Sequence, residues 1–267
     1  LTNKYIFAKV IGQKTRVPKT FGLIIKGSFY PENSSSLDDI IKSNEKFVIK
    51  PVTGGGGKGV SLCEVKMNKT ICINGRDVFG YHDFLDYLSK LDNYLITEFI
   101  SPGRFSHSLN PDTINTLRVL TMIHPKSQKS FIAKIVHRVG VKNSFPMDNF
   151  TKGGLSVEID KQTGEMGTAT CHPKSTEHIR IKKHPESNFT FYGVKVPEWE
   201  KIVKQIHNIS SSFPMLKCVG WDFILTDDEI IPIEGNHHPD PDVLQGHGPL
   251  LESKKILDFY TFHKIIK

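Results

Sequence analysis

Apolar positions recur with a strand period over most of this chain and with a helix period in only a few places. Residues 27–36 (GSFYPENSSS) break the pattern with Pro, Asn and Ser and read as a surface loop. Ser36 then opens a short helix, as a cap followed by Asp38 and Asp39 in the first turn. Residues 47–51 predict a strand, 52–59 a glycine loop and 60–65 a second strand. Phe84, Leu85, Leu88 and Leu91 predict a helix over 81–91, and 93–100 returns to a strand-like texture. Beyond Pro102-Gly103 the segments lengthen: 117–123, 130–139, 155–160, 219–225 and 230–234 read as strands. One amphipathic helix interrupts them, with Pro197 as its first residue and Trp199, Ile202, Val203, Ile206 and Ile209 as its apolar stripe. A last helix is expected over about 249–264. The mixture is α+β, with a hinge expected near Glu98–Gly103. A front lobe of residues 1–97 and a rear lobe of residues 98–267 follow from it.

Composition narrows the class without naming a chemistry. The 267 residues are 38% hydrophobic and 24% charged, enough for two closely packed lobes with a sizeable core. No apolar run reaches the length of a membrane span. The first residues carry no signal-peptide pattern and no initiator Met, which leaves open whether an N-terminal piece is missing. Cys63, Cys72, Cys171 and Cys218 form no CxxC pair, and Cys63 with Cys72 could at most flank a hairpin. Reduced thiols and a cytoplasmic setting are expected. The net charge of +7 admits either nucleic acid or a polyanionic small ligand such as ATP as partner. The basic residues are spread out, and the densest cluster, 179–184 (IRIKKH), has no aromatic platform beside it. A solvated face is expected there, and no nucleic acid partner.

Three stretches carry candidate chemistry. In 47–60 (FVIKPVTGGGGKGV), Gly54, Gly55, Gly56 and Gly57 leave the backbone open to wrap phosphates with its N–H groups. A P-loop or dinucleotide loop would be followed by a helix, whereas Lys58 is followed by Gly59 and a strand-like run. A protein kinase carries its lysine after the loop, whereas Lys50 precedes it. In 115–121 (NTLRVLT), Arg118 lies in an apolar strand and must find an anion, either a structural carboxylate or a phosphoryl or carboxylate group of a substrate. Arg138 is a second such candidate. Residues 220–236 (GWDFILTDDEIIPIEGN) read as a hairpin with Asp222 on one strand and Glu234 and Asn236 on one face of the other. A three-residue loop, Asp227-Asp228-Glu229, would bring Asp222 opposite Glu234, giving a hard three-oxygen site suited to Mg²⁺ with ATP phosphates. His237, His238, Asp240, Asp242 and His247 follow; their spacing fits no zinc motif, and a substrate-facing loop is the preferred reading over zinc.

A lysine on a strand, a glycine lid, a returning strand and a distal Asp-hairpin-Glu-x-Asn resemble the ATP-grasp superfamily. Asn115–Arg118, the loop 148–154 (DNFTKGG) and the run EGNHHPDPDVLQ are similar to its sugar-transfer-associated family, found among bacterial capsule and surface-polysaccharide genes. The resemblance extends from Lys4 to about Leu251. The resemblance implies two α/β lobes with antiparallel sheets holding ATP between them. It implies ATP-binding roles for Lys4 and Lys50, a lid that orders with nucleotide, and adenine contacts from Thr97, Glu98 and Ile100. It implies Mg²⁺, with Mn²⁺ as a substitute, on Asp222, Glu234 and Asn236. Catalytic roles fall to Arg118, Arg138, Asn149 and Lys152, and substrate contacts to His237, His238 and Asp240. The activity implied is an amide-forming carboxylate–amine ligase working through an acyl phosphate. Its substrates would be a sugar acid or similar carboxylate with an amine or amino acid, alongside other polysaccharide biosynthesis enzymes. A small-molecule or sugar kinase, and a non-catalytic nucleotide-binding module, remain open alternatives. The pre-ATP domain usual in the superfamily is expected to be absent or nearly so, and the pair His237-His238 is unusual beside a metal site.

Overall fold

A computed structural model describes residues 2–172, 180–237 and 239–266. The chain divides into two compact units, Leu1–Ile100 and Ser101–Lys267. Among the described residues each unit is built on one seven-stranded antiparallel sheet. No helix among them is long and apolar enough to cross a membrane.

In the first unit, α1 (Lys4–Ile11) is followed by β1 (Thr20–Ile25), β2 (Ser28–Pro31), α2 (Leu37–Ser43), β3 (Lys46–Pro51) and β4 (Ser61–Lys66). Then come β5 (Thr70–Ile73), β6 (Asp77–Phe79), α3 (Tyr81–Ser89) and β7 (Tyr94–Glu98), with sheet order β2-β1-β7-β3-β4-β5-β6. One face of this sheet gives Ile24, Phe47, Ile49, Cys63, Ile71 and Ile96 to a core shared with Ile41 of α2 and with Phe84 and Leu88 of α3. Ser36 caps α2 as its position predicts, and Asp39 returns the bond to complete a capping box. The segment expected to be a plain surface loop holds β2 instead. It is an edge strand, mostly exposed, so its composition is loop-like although its backbone pairs with β1. Cys63 faces the core, while Cys72 lies opposite Glu64, the residue after Cys63, and so on the other face of the sheet. The register therefore excludes a disulfide between them, and among the described residues no cysteine forms one.

In the second unit, α4 (Arg104–Leu109) precedes β8 (Thr116–Ile123), β9 (Ser130–Val139), β10 (Leu155–Ile159), β11 (Met166–Cys171) and β12 (Arg180–Ile181). After α5 (Trp199–Ser211) come β13 (Cys218–Leu225), β14 (Ile230–Asn236), α6 (Asp242–Gln245) and α7 (Lys254–Phe262), with sheet order β12-β11-β10-β9-β8-β13-β14. Every residue of β8 is buried, which is why its sequence reads as a largely apolar run interrupted by Arg118. One sheet face carries Leu120, Met122 and Val136 against Val243 and Leu244 of α6 and Ile256 and Phe259 of α7. α5 packs on β9 and buries Trp199, Ile202, Ile206 and Ile209. It begins at Trp199 rather than Pro197, because Glu198 takes a left-handed conformation (φ 51°) that helical propagation cannot cross. The last expected helix is likewise divided, into a short 3₁₀ turn at Leu250–Glu252 and α7.

His137, on β9 opposite Leu117 and Val157, is wholly buried, and burial depresses its pKa to about 4. Its Nδ1 lies 3.2 Å from the Arg138 carbonyl, a contact the neutral ring makes by donating. An unfolded chain protonates this imidazole first, near its ordinary value of about 6.5. Its stabilising contribution is thus complete above that value and is lost as the pH falls towards 4. Between about pH 7 and pH 5 the loss amounts to about 2 kcal/mol. Urea unfolding at the two pH values should register it, and His137→Phe should show a smaller drop. An equal drop in both proteins would rule out His137 as the source.

Candidate functional site

The loop joining β3 to β4 depends on glycine for its shape. Gly54 (φ 111°), Gly56 (66°) and Gly57 (65°) all adopt backbone conformations that L side chains rarely take. At Gly54 and Gly55 a Cβ would meet nothing within 4 Å, so space is not the constraint there. Lys4 is fastened to this loop from the first turn of α1. Its N–H donates to the Val52 carbonyl at 2.8 Å, and its buried Nζ donates to the Gly54 carbonyl at 2.5 Å. On the sheet, Lys50 lies opposite Leu95 and Val48 opposite Thr97, so Lys50 and Thr97 share the face turned away from Phe47 and Ile49. Glu98 uses its carboxylate elsewhere, accepting from Arg16 Nη2 at 3.1 Å and from the Lys19 N–H at 3.0 Å. Ile100 is buried beyond the end of β7.

In the second unit the register assembles a charged row across three neighbouring strands of the sheet. Arg118 of β8 faces Asp222 of β13, and Asp222 faces Glu234 of β14. Asn236 lies two residues on from Glu234, opposite Gly220. The route to this pairing differs from the expected three-residue loop. Leu225 pairs with Ile230, and Thr226 N–H closes on the Glu229 carbonyl at 2.9 Å, so the connection holds an even number of residues. A register shift between Asp222 and Phe223 then leaves Ile233 as the extra residue and restores the parity. Pro232, opposite Phe223, has no N–H to give the ladder, which favours a bulge at this point.

The two arginines of the row meet at Asp222. Arg118 Nε lies 2.6 Å from Asp222 Oδ1 without hydrogen-bond alignment, and its Nη2 donates to Oδ2 at 3.1 Å. Arg138 of β9 brings Nη1 to 3.7 Å from the same Oδ2. Its Nη2 donates to Asp148 Oδ1 at 2.9 Å and its Nε to Thr116 Oγ1 at 3.0 Å. Burial lowers the Arg138 pKa, but Asp148, Asp222 and Glu234 more than reverse this and leave it above its ordinary value. Burial pushes the Asp148 carboxyl up, with Arg138 and the Thr116 donors acting against it. A guanidinium–carboxylate cluster this dry is costly unless its members satisfy one another. Neither Asp148 nor Thr116 stood out in the sequence. Their only signals were adjacency to Asn149 and a place two residues before Arg118.

The remaining candidates lie on loops around this row. Asn149 accepts from the Thr151 N–H and hydroxyl at 2.9 and 2.8 Å through Oδ1. Lys152 is exposed. Gly154 is required by contact: a Cβ there would fall 2.8 Å from the Asp148 and Asn149 carbonyls. At Gly220 a Cβ would fall 2.5 Å from Pro239, so the missing side chain lets Pro239 lie against β13. His237 is exposed, Asp240 accepts from the Asp242 N–H at 3.0 Å, and His238 lies outside the described residues. His247 is a core residue: Nε2 donates to the Ser156 carbonyl at 2.9 Å, and burial lowers its pKa to about 4.

The donor set suits a hard divalent cation. Asp222 Oδ1 has no aligned hydrogen bond, and Glu234 and Asn236 present further oxygens on the same face. Among the described residues no three His, Cys, Asp or Glu side chains gather as a metal cluster, and the amide oxygen of Asn236 is the further oxygen donor that the register adds to this face. Two carboxylates and an amide fit Mg²⁺, which keeps several waters of its own.

No curated protein matches this chain. Among solved structures it is similar to an ADP complex of N5-carboxyaminoimidazole ribonucleotide synthetase, with 14% identity, TM-score 0.46, and coverage of 90% of this chain and 46% of that one. It is also similar to D-alanine–D-alanine ligase from Bacillus anthracis complexed with ATP, with 13% identity, TM-score 0.47, and coverage of 99% and 66%. The chain thus spans less than two thirds of the length of either protein. The family described as sugar-transfer associated ATP-grasp matches residues 1–250. The chain belongs to that family.

Proposed function

We propose that this chain carries the Mg²⁺- and ATP-dependent step of a carboxylate–amine ligase, acting on a sugar acid or related carboxylate in polysaccharide biosynthesis in the cytoplasm. The observation that carries the reading is the row Arg118–Asp222–Glu234, where oxygen donors for a cation and guanidinium groups for an anion stand side by side in a dry sheet. Asp222, Glu234 and Asn236 would hold Mg²⁺, or Mn²⁺ in its place, and the ion would supply charge neutralisation at the ATP phosphates. Lys4, Lys50 and the N–H groups of 54–57 bind those phosphates, while the Glu98 carbonyl, the Ile100 N–H and the Thr97 side chain serve the adenine edge. Arg118 and Arg138 stabilise charge on the phosphoryl group in transit. Asn149 Nδ2 donates to the oxyanion formed when the amine attacks, with Lys152 adding positive charge. His237, His238 and Asp240 would supply contacts to the acceptor.

In this chemistry a carboxylate oxygen attacks the γ-phosphorus and ADP leaves. The amine then attacks the acyl carbon, phosphate departs with the C–O electrons, and the nitrogen loses a proton. Sugar acids and amino acids are first screened for ATP-dependent ADP release. With the productive carboxylate and no amine, hydroxylamine is expected to intercept the acyl phosphate as a hydroxamate. A productive substrate bearing only hydroxyls, giving no hydroxamate and a stable phosphate ester, would replace the ligase with a kinase.

A further inference from the structure

We infer that Asp148 is a positioning residue that aims Arg138 at the terminal phosphate of bound ATP and fixes the loop of Asn149 beside it. The inference rests on the nucleotide site proposed above and adds to it a residue that touches neither nucleotide nor metal.

Asp148 accepts three hydrogen bonds and is 5% exposed. Oδ1 accepts from Arg138 Nη2 at 2.9 Å; Oδ2 accepts from the Thr116 N–H at 2.8 Å and from the Thr116 hydroxyl at 2.5 Å. The hydroxyl oxygen in turn accepts from Arg138 Nε at 3.0 Å, closing a ring of two strand residues and one loop carboxylate. Two of the three guanidinium nitrogens are thereby committed, and the third, Nη1, points towards Asp222, 3.7 Å away. That gap is too long for a hydrogen bond and short enough for strong attraction. Asp148 therefore holds Arg138 back from collapsing onto the carboxylate proposed to bind metal, and leaves its outer edge for an incoming anion. The bond to the β8 main chain also pins the start of the loop 148–154. There the Gly154 N–H donates to the Asn149 carbonyl at 2.9 Å, so the loop's other end is fixed to the same point.

A carboxylate that only stabilised the fold would be expected to affect every ligand alike. A positioning carboxylate should act through Arg138 and chiefly on the γ-phosphate. The test is calorimetric binding of Mg·AMPPNP and Mg·ADP to wild type, Asp148→Asn, Arg138→Ala and the double variant, with thermal melting to check folding. Asp148→Asn is expected to weaken Mg·AMPPNP about tenfold, the size of one charge-assisted hydrogen bond, and Mg·ADP by much less. The double variant is expected to bind no more weakly than Arg138→Ala alone, because the two residues act as a unit. Equal losses for both nucleotides, losses that multiply in the double variant, or wild-type binding by Asp148→Asn would each overturn the inference. Should Asp148→Asn fail to fold, Thr116→Val carries the same measurements, since it removes the hydroxyl linking Arg138 Nε to Asp148. Glu234→Ala separates the two levels. Impaired binding there with wild-type behaviour at Asp148→Asn sinks the positioning role alone, whereas wild-type binding by Glu234→Ala sinks the nucleotide site and the positioning role with it.

Discussion

Replacing Glu234 by alanine is expected to abolish ATP turnover while leaving the fold intact. Glu234 is half-buried on β14, directly opposite Asp222, and it joins a cluster already holding two arginines and two aspartates. With Arg118, Arg138, Asp148, Asp222 and Glu234 ionised, the cluster sums to one negative charge, since two cations face three anions. Removing Glu234 makes the cluster neutral, which the protein tolerates, but takes one of two carboxylates from the proposed cation site. A hard divalent ion is held by charge as much as by geometry, so losing half the anionic ligands should weaken it severely. A loss of at least about a thousandfold in ADP release is expected, comparable to removing a main electrostatic element of an active site. The variant should melt within a few degrees of wild type. Turnover close to wild type in a folded Glu234→Ala protein would remove the metal assignment outright.

The hairpin and its face were legible because alternation on a strand is a geometric necessity: Glu234 and Asn236, two apart, must share a side. The Asp222–Glu234 pairing was anticipated, yet by the wrong device. The loop is even and the bulge at Ile233 corrects it, which Pro232 could have signalled, since a residue without an N–H interrupts a ladder. Arg118 was legible as a charge that must be paired, and the structural carboxylate named as one option is Asp222. Arg138 had the same signature, but its partner Asp148 was not, because charge pairs across a loop leave no periodic trace. In the first unit, α1 passed unread although Lys4, Phe7 and Ile11 follow a helical spacing. Its β-branched and aromatic residues are ambiguous over so short a stretch. β2 passed unread for the opposite reason, since an exposed edge strand has no buried face to show.

Removal of Arg118 should reveal how the row balances its charges. Arg118 is 7% exposed and Asp222 3%, and their contact joins β8 to β13. Arg118→Met keeps much of the side-chain volume but leaves Asp222 with Arg138 alone, whose Nη1 is 3.7 Å away. Breaking a buried pair from one side typically costs about 3–5 kcal/mol, because the remaining charge stays desolvated. For a unit of this size that is a fall in Tm on the order of 10 °C. If Asp222 is a cation ligand, Mn²⁺ can replace the missing positive charge. The metal should then raise the Tm of Arg118→Met by more than it raises that of wild type, where Arg118 already neutralises the carboxylate. ATP turnover should fall as well, because the guanidinium that would meet the transferring phosphoryl group is gone. An Arg118→Met protein that melts like wild type would mean that Asp222 is adequately served by Arg138. One that is destabilised but gains nothing from Mn²⁺ would mean that Asp222 serves the sheet rather than a cation.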